Sequence, residues 1–148
     1  MNQRSWRVMA TALALILVAG PVSAQAAAKG ADAILGTWWT EDSASKVKIV
    51  DSAGTYSAVV TWVPNNAEGK PPVDVKNSDS ALRTRPILGI TILSGFAYGG
   101  NGVWNKGKIY APKKGKSFSG QLTLGADGTL QVKAKSGPAS KTVTWVRD

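Results

Sequence analysis

The sequence predicts an all-β protein, folded as a small antiparallel barrel of roughly eight strands. Apolar and polar residues alternate with a period of two in most segments after Ile34, which indicates strands rather than helices. Lysines at alternating positions give each strand one wet face, and this pattern is typical of antiparallel sheets. Roughly eight such segments follow at hairpin spacing, and closing them into a barrel would remove the free sheet edges.

Composition limits the chemistry that this chain can perform. It has 148 residues, with 18 Lys and Arg against 9 Asp and Glu, and a formal charge of +9. It contains no Cys and no His. Disulfides, thiol nucleophiles, Ser-His-Asp triads and most transition-metal sites are therefore excluded. We expect no cofactor and no metal.

The first segment, residues 1–24, is interpreted as a secretory signal peptide. Arg4 and Arg7 precede an apolar run at 9–19, and Val22-Ser23-Ala24 offers small residues for cleavage. The alternative is an uncleaved anchor, but the apolar run is shorter than the ~20 residues that span a bilayer. We therefore expect export to the periplasm or beyond, and a mature chain whose charge is +7 after the loss of two arginines.

The barrel domain is expected at residues 34–148, after a flexible leader of small residues at 25–33. Residues 46–49 alternate between lysine and apolar side chains, and a turn at 52–54 leads into a second strand at 56–63. These segments predict the first hairpin of the barrel.

A long connection follows at residues 64–84. It contains Pro71-Pro72 and few apolar residues, and a loop of this length in a small domain is usually functional or mobile. Residues 87–93 are apolar and could form either a strand or a helical turn, with Gly89 unfavourable to both.

The clearest hairpin lies near the C-terminus. Residues 117–124 and 129–135 both alternate, and Gly125-Ala126-Asp127-Gly128 between them has the composition of a turn. A last strand is expected at 142–147.

The first and last predicted strands carry a resemblance to lipocalin-like proteins. Gly36-Thr37-Trp38 opens the first strand, and Arg147 lies at the end of the last. In lipocalin-like barrels a Gly-x-Trp begins the first strand and an Arg of the final strand packs across the indole. The resemblance implies that Gly36, Trp38 and Arg147 close one end of the barrel through a cation–π contact.

From about Leu35 to Arg147 the chain is similar to a family of short exported bacterial proteins, the domain of unknown function number 2147. It departs from the family pattern at Ser78 and Ala111, where the family has Pro and Asp. The resemblance implies export and a lipocalin-like fold, and no particular chemistry. It rests on 36–38, Asp74-Val75-Lys76-Asn77, Arg83-Thr84-Arg85-Pro86, 87–96, Trp104, 107–112, Gly115-Lys116 and 144–147.

The polar group of Asp74, Asn77, Arg83 and Arg85 has two interpretations. It could be a structural network in which an arginine satisfies a carboxylate and loop carbonyls. It could also be a site at the mouth of the barrel, where Arg83 or Arg85 meets an anionic ligand group.

The aromatic residues Trp38, Trp104, Tyr110 and Trp145 likewise allow two interpretations. Core packing is the ordinary role of a tryptophan in a strand. Alternatively, these rings line or close a partly open apolar pocket, because an eight-stranded barrel can hold one small ligand.

A lysine-rich stretch occupies residues 106–116. It is either a solvated face or a surface attracted to anionic envelope polymers or lipid head groups. Nucleic acid also suits basic charge with aromatic rings, but export disfavours it. Its members are Lys106, Lys108, Lys113, Lys114 and Lys116.

Three functions follow from these features. The first is an exported binding module for a small, partly apolar or anionic ligand. The second is a structural or interaction protein of the cell envelope that acts through its basic surface. The third is a carboxylate-dependent hydrolase, for which the candidate acids are Glu41, Asp42, Asp74 and Asp79.

Overall fold

Eight strands follow one another around a closed antiparallel barrel, in the order in which they occur in the chain. This computed structural model describes residues 30–148, so the expected signal peptide and residues 25–29 of the expected leader lie outside the described residues. The predicted fold class is confirmed. The strands are β1 (Gly36–Trp39), β2 (Lys46–Ser52), β3 (Thr55–Trp62), β4 (Thr91–Gly100), β5 (Val103–Ala111), β6 (Lys116–Leu124), β7 (Leu130–Ser136) and β8 (Ala139–Arg147).

Because successive strands are antiparallel, the connections alternate between the two ends of the barrel. One end, here called the plugged end, holds the chain before β1 and the short turns after β2, β4 and β6. The other end, the loop end, holds the connections after β1, β3, β5 and β7, of which the β3–β4 connection at 63–90 is the longest. No helix within residues 30–148 is long and apolar enough to cross a membrane.

The structure differs from the expectation of a flexible leader up to residue 33. Ala31–Ile34 forms a 3₁₀ turn, and Ile34 is fully buried at the plugged end. The apolar pair Ala33 and Ile34 belongs to the hydrophobic core, which gains stability by removing these side chains from water. The described part of the expected leader, residues 30–33, therefore joins the packed barrel.

The segment at 87–93, which allowed a strand or a helical turn, is divided in the structure. Residues 87–90 form a turn in which Gly89 has a φ of 89°, and β4 begins at Thr91. The turn is joined to β3, because the backbone N–H of Gly89 donates to Val60 O and the N–H of Val60 donates to Ile90 O. The long connection thus ends by pairing with the strand from which it departs.

The interior of the barrel is filled by side chains. Trp38, Phe96 and Trp104 are each 0% exposed, and they are the largest fully buried side chains in the described part of the chain. Gly107 and Gly120 make room for Phe96: a Cβ at Gly107 would overlap its ring, and one at Gly120 would lie 2.8 Å from its Cζ. Glycine at positions 107 and 120 therefore leaves the space that the Phe96 ring occupies in the barrel interior.

Candidate functional site

The plugged end is built around a single stacking contact. The Arg147 guanidinium carbon lies 4.2 Å from the centroid of the Trp38 ring. Its Nη1 donates to Leu35 O at 2.8 Å and its Nη2 to Ala33 O at 2.7 Å. Gly36, at a φ of 118°, leaves space for this arginine, since a Cβ there would lie 3.1 Å from Nη1. The three residues that the lipocalin resemblance brings together meet here.

Three further hydrogen bonds hold the N-terminal 3₁₀ turn over this end. The indole N–H of Trp38 donates to Ile34 O at 2.9 Å, and that of Trp104 donates to Ala31 O at 3.0 Å. The Tyr56 hydroxyl donates to an Asp32 carboxylate oxygen at 2.6 Å. This bond to Asp32, together with burial, raises the pKa of Tyr56 to about 12. The turn is therefore tied to three different strands.

A cleft of about 1060 Å³ opens at the plugged end, between this 3₁₀ turn and the β4–β5 and β6–β7 turns. Its volume is at the upper end of the usual range for ligand pockets. Leu35 and Leu124 supply apolar surface, and the buried Trp104 lies behind them in the wall. The polar groups that line it are Asp32, Tyr98, Asn101, Asp127 and Arg147.

The acidic groups of the cleft are held in place by short local contacts. Asp127 Oδ1 accepts the Thr129 hydroxyl at 2.8 Å and the Thr129 backbone N–H at 3.0 Å. The hydroxyl and then the backbone bond lower the pKa of Asp127. Asp32 also lines the cleft, which therefore carries two carboxylates and the one guanidinium of Arg147. These carboxylates can accept hydrogen bonds from a ligand's donors.

Sequence reasoning missed most of this cleft. Asp32 was assigned to the leader and Asp127 to a turn, whereas Trp104 and Arg147 were candidate site residues. The signal that could have located it is strand order, because residues before β1 and in the turns after β4 and β6 must lie at the same end of an antiparallel barrel.

The second polar cluster lies at the loop end and centres on Asp74, which is 1% exposed. One carboxylate oxygen accepts Asn77 Nδ2 at 2.8 Å and Arg85 at 3.0 Å from Nε and 2.9 Å from Nη2. The other accepts the Tyr110 hydroxyl at 2.6 Å. Burial alone would raise the pKa of Asp74, but the hydrogen bonds from Asn77, Tyr110 and Arg85 and the charge of Arg85 lower it. Asp74 is therefore a buried carboxylate whose two oxygens both accept hydrogen bonds from other side chains.

This cluster does not face the barrel interior. Ile109 is buried in the core, so strand alternation places the next residue, Tyr110, on the outer face of β5. Arg83 Nε donates to Asn77 O at 2.8 Å. Both arginines bond to the connection itself, as the structural-network interpretation expects, because a buried carboxylate and a loop carbonyl require donors. A ligand site at Arg83 or Arg85 stays a prediction.

The remaining predicted residues are dispersed. Trp38, Trp104 and Trp145 are 0%, 0% and 4% exposed, so they pack in the core and do not line an open interior, although Trp104 also reaches the cleft. The exposed lysines are Lys106 and Lys108 on β5 and Lys113, Lys114 and Lys116 at the β5–β6 turn.

The four candidate acids are also dispersed. Glu41 pairs with Lys141 at 3.8 Å, Asp79 caps the 3₁₀ turn Ser80–Leu82, and Asp74 is buried in its network. None of these, nor Asp42, lines the cleft at the plugged end. In the described residues, no group of three or more acidic side chains is placed to hold a metal ion.

A closed eight-stranded antiparallel barrel, with an arginine of the last strand stacked on the tryptophan of the first, defines the lipocalin-like class of fold. The family model described as "Uncharacterized protein conserved in bacteria (DUF2147)" matches residues 36–147, and the chain belongs to this family.

One solved structure is similar to the chain over most of its length. It is titled "Protein HP1028 from the human pathogen Helicobacter pylori belongs to the lipocalin family". The sequences are 25% identical, the TM-score is 0.67, and the match covers 78% of this chain and 82% of the other. The comparison with curated proteins gave no match.

Proposed function

We propose that this protein is a binding module that holds a small molecule in the cleft at its plugged end. The observation that carries the proposal is the coincidence of apolar surface from Leu35 and Leu124 with several polar side chains in one cleft of about 1060 Å³. The core beneath it is filled by Trp38 and Phe96. The family's lipocalin-like barrel, a fold used for binding, supports the same function.

The charge of the cleft indicates which class of ligand it can hold. Asp32 and Asp127 outnumber Arg147, and the Arg147 guanidinium already donates to two backbone carbonyls. An anionic molecule would be repelled by these two carboxylates, although both belong to exposed residues and the repulsion is reduced by solvent. We propose a small, partly apolar ligand that carries hydroxyl, amide or amine donors.

Filling the cleft should prevent binding. Ala126 is exposed on the β6–β7 turn that lines the cleft, so Ala126→Trp would occupy it without entering the core. Ala139→Trp at the loop end is the matched control, because Ala139 is also exposed and does not line the cleft. Native mass spectrometry of protein purified from its host envelope should show a bound small molecule in the wild type and Ala139→Trp, and at least tenfold less in Ala126→Trp.

Two outcomes would contradict the proposal. One is the absence of any added mass on gently purified wild-type protein. The other is equal occupancy in Ala126→Trp and Ala139→Trp, which would place the bound molecule elsewhere. Circular dichroism of both variants verifies that each retains the barrel.

We also propose that the protein acts outside the cytoplasm. This rests on Arg4 and Arg7, the apolar run at 9–19 and the small residues before Gln25. N-terminal sequencing of protein from the envelope fraction should begin at or within about two residues of Gln25. Recovery of a chain that begins at Met1, in the cytoplasmic fraction, would refute export.

A further inference from the structure

The β3–β4 connection presents apolar side chains to solvent and buries polar ones. Six large hydrophobic residues in the range 30–148 are exposed, and five of them lie between Trp62 and Leu88. Asp74 and Asn77, at 1% and 5% exposure, are the buried polar residues of the described chain. Val73 and Val75, which flank Asp74, are 38% and 62% exposed. This polarity is the reverse of what the hydrophobic effect favours on a water-facing surface.

The exposed apolar residues are held rigidly in this orientation. The Asp74 network attaches the connection to β5 through Tyr110, and Val73 pairs with Pro86 within the connection. The backbone of the β5–β6 turn packs directly against the connection, so closely that a Cβ at Gly115 would overlap the carbonyl of Lys76. The connection therefore cannot turn its valines inward without breaking the hydrogen bonds of the buried Asp74 carboxylate.

Trp62 joins the same exposed set through a β-bulge. Val47 pairs with Val60, but Lys46 pairs with Trp62, so one extra residue of β3 is inserted between these pairs. The bulge directs the indole to the outer face, where its ring centroid lies 5.6 Å from that of Trp39 and it remains 44% exposed. Tryptophan at the margin of an apolar surface is typical of the interface between water and lipid.

Basic side chains accompany these exposed apolar residues. They lie within the connection and on the β5–β6 turn that it contacts, at the same end of the barrel. All are exposed to solvent: Lys70, Lys76, Arg83, Lys113, Lys114 and Lys116.

We propose that the loop end of the barrel docks on an anionic lipid surface. Leu82, Leu88, Val73 and Val75 enter the head-group region, Trp62 lies at its margin, and the accompanying lysines face the anionic lipid phosphates. Charge complementarity and exposed apolar tips together match a bilayer interface, whereas a soluble polyanion would use the lysines and leave the apolar residues in water. The cleft at the plugged end would then face away from the membrane.

Vesicle flotation tests the docking with two pairs of variants of the mature chain. The vesicles contain phosphatidylglycerol with phosphatidylethanolamine, or phosphatidylcholine alone. The basic variant is Lys113→Gln/Lys114→Gln/Lys116→Gln, and its control removes the same charge from the barrel wall away from the loop end, Lys48→Gln/Lys106→Gln/Lys133→Gln. The apolar variant is Val75→Ser/Leu88→Ser, and its control is Val146→Ser, which lies on the barrel wall at 46% exposure.

We expect the wild type and both controls to float with the anionic vesicles at low salt and not with phosphatidylcholine. The basic variant should bind about a hundredfold more weakly, since each lysine near an anionic surface contributes roughly fivefold. The apolar variant should bind about tenfold more weakly. Failure of the wild type to float, equal losses in the wall-lysine control, or unchanged flotation of the apolar variant would overturn the proposal. Preference for soluble polyglutamate over vesicles would overturn it as well.

Discussion

Replacing Trp38 by alanine is expected to lower the free energy of unfolding by about 3–5 kcal/mol. The ring is 0% exposed, its indole N–H donates to Ile34 O, and its face carries the Arg147 guanidinium. The substitution therefore leaves a cavity, frees one buried carbonyl and removes the surface on which the arginine rests. Chemical denaturation followed by circular dichroism measures the loss.

The control for Trp38 is Trp62, a tryptophan of the same barrel that is 44% exposed. Trp62→Ala should cost no more than about 1 kcal/mol, because little packed volume is lost. If Trp38→Ala does not fold, Trp38→Phe provides a measurable intermediate, with a cost of about 1–2 kcal/mol. Equal losses of unfolding free energy in Trp38→Ala and Trp62→Ala would contradict the conclusion that Trp38 stabilises the plugged end by packing and hydrogen bonding.

Asp74→Asn is expected to destabilise the protein by about 2–4 kcal/mol near neutral pH. The replacement keeps the shape of the side chain but directs an amide among donors from Asn77, Arg85 and Tyr110. The Arg85 side chain is 35% exposed and can regain water, which reduces the cost below that of a fully buried pair. The matched control is Asp79→Asn in the same connection, since asparagine caps a 3₁₀ or helical N-terminus as well as aspartate does.

The effect of Asp74→Asn should also depend on pH. The pKa of Asp74 is lowered by folding, so its carboxylate stabilises the native state above the ordinary pKa of 3.8, and this stability is lost as the pH falls through the lowered value. The difference in unfolding free energy between wild type and Asp74→Asn should therefore be constant above about pH 5 and shrink below pH 4. A difference that stays constant down to pH 2 would show that the carboxylate charge is not what stabilises the connection.

Strand identity could be predicted from the sequence wherever alternation is local. The segments 117–124 and 129–135 were expected as one hairpin, and β6 and β7 occupy nearly these residues. Alternation also identified Leu122, Leu130 and Val132 as one face of that hairpin, and all three are buried. Such patterns can be read directly because side chains in a strand point to opposite faces in turn, whatever the strand pairs with.

The orientation of Trp62 shows where this rule fails. Alternation from Tyr56, Ala58 and Val60 would place Trp62 inside, but the bulge opposite Lys46 turns it outward. The bulge arises from pairing with β2, and a period within one strand contains no information about its partner's register. Asp74 is a similar case: the sequence leaves its role open between a structural network and a site at the mouth, and only the structure shows that it is the most buried charged side chain in the described residues.

The barrel and the family could be predicted from the sequence, because they depend on local periodicity and on short motifs, and the resemblance implied the contact of Gly36, Trp38 and Arg147. The filling of the core by large rings, the cleft at the plugged end and the bond from Arg85 to the buried Asp74 are evident only in the three-dimensional structure. These outcomes depend on residues such as Asp74 and Tyr110, or Asp32 and Asp127, that are distant in the chain and meet only after the strands have paired. The physical reason is that strand formation is encoded over a few residues, whereas filled volume and charge pairing are properties of the closed barrel.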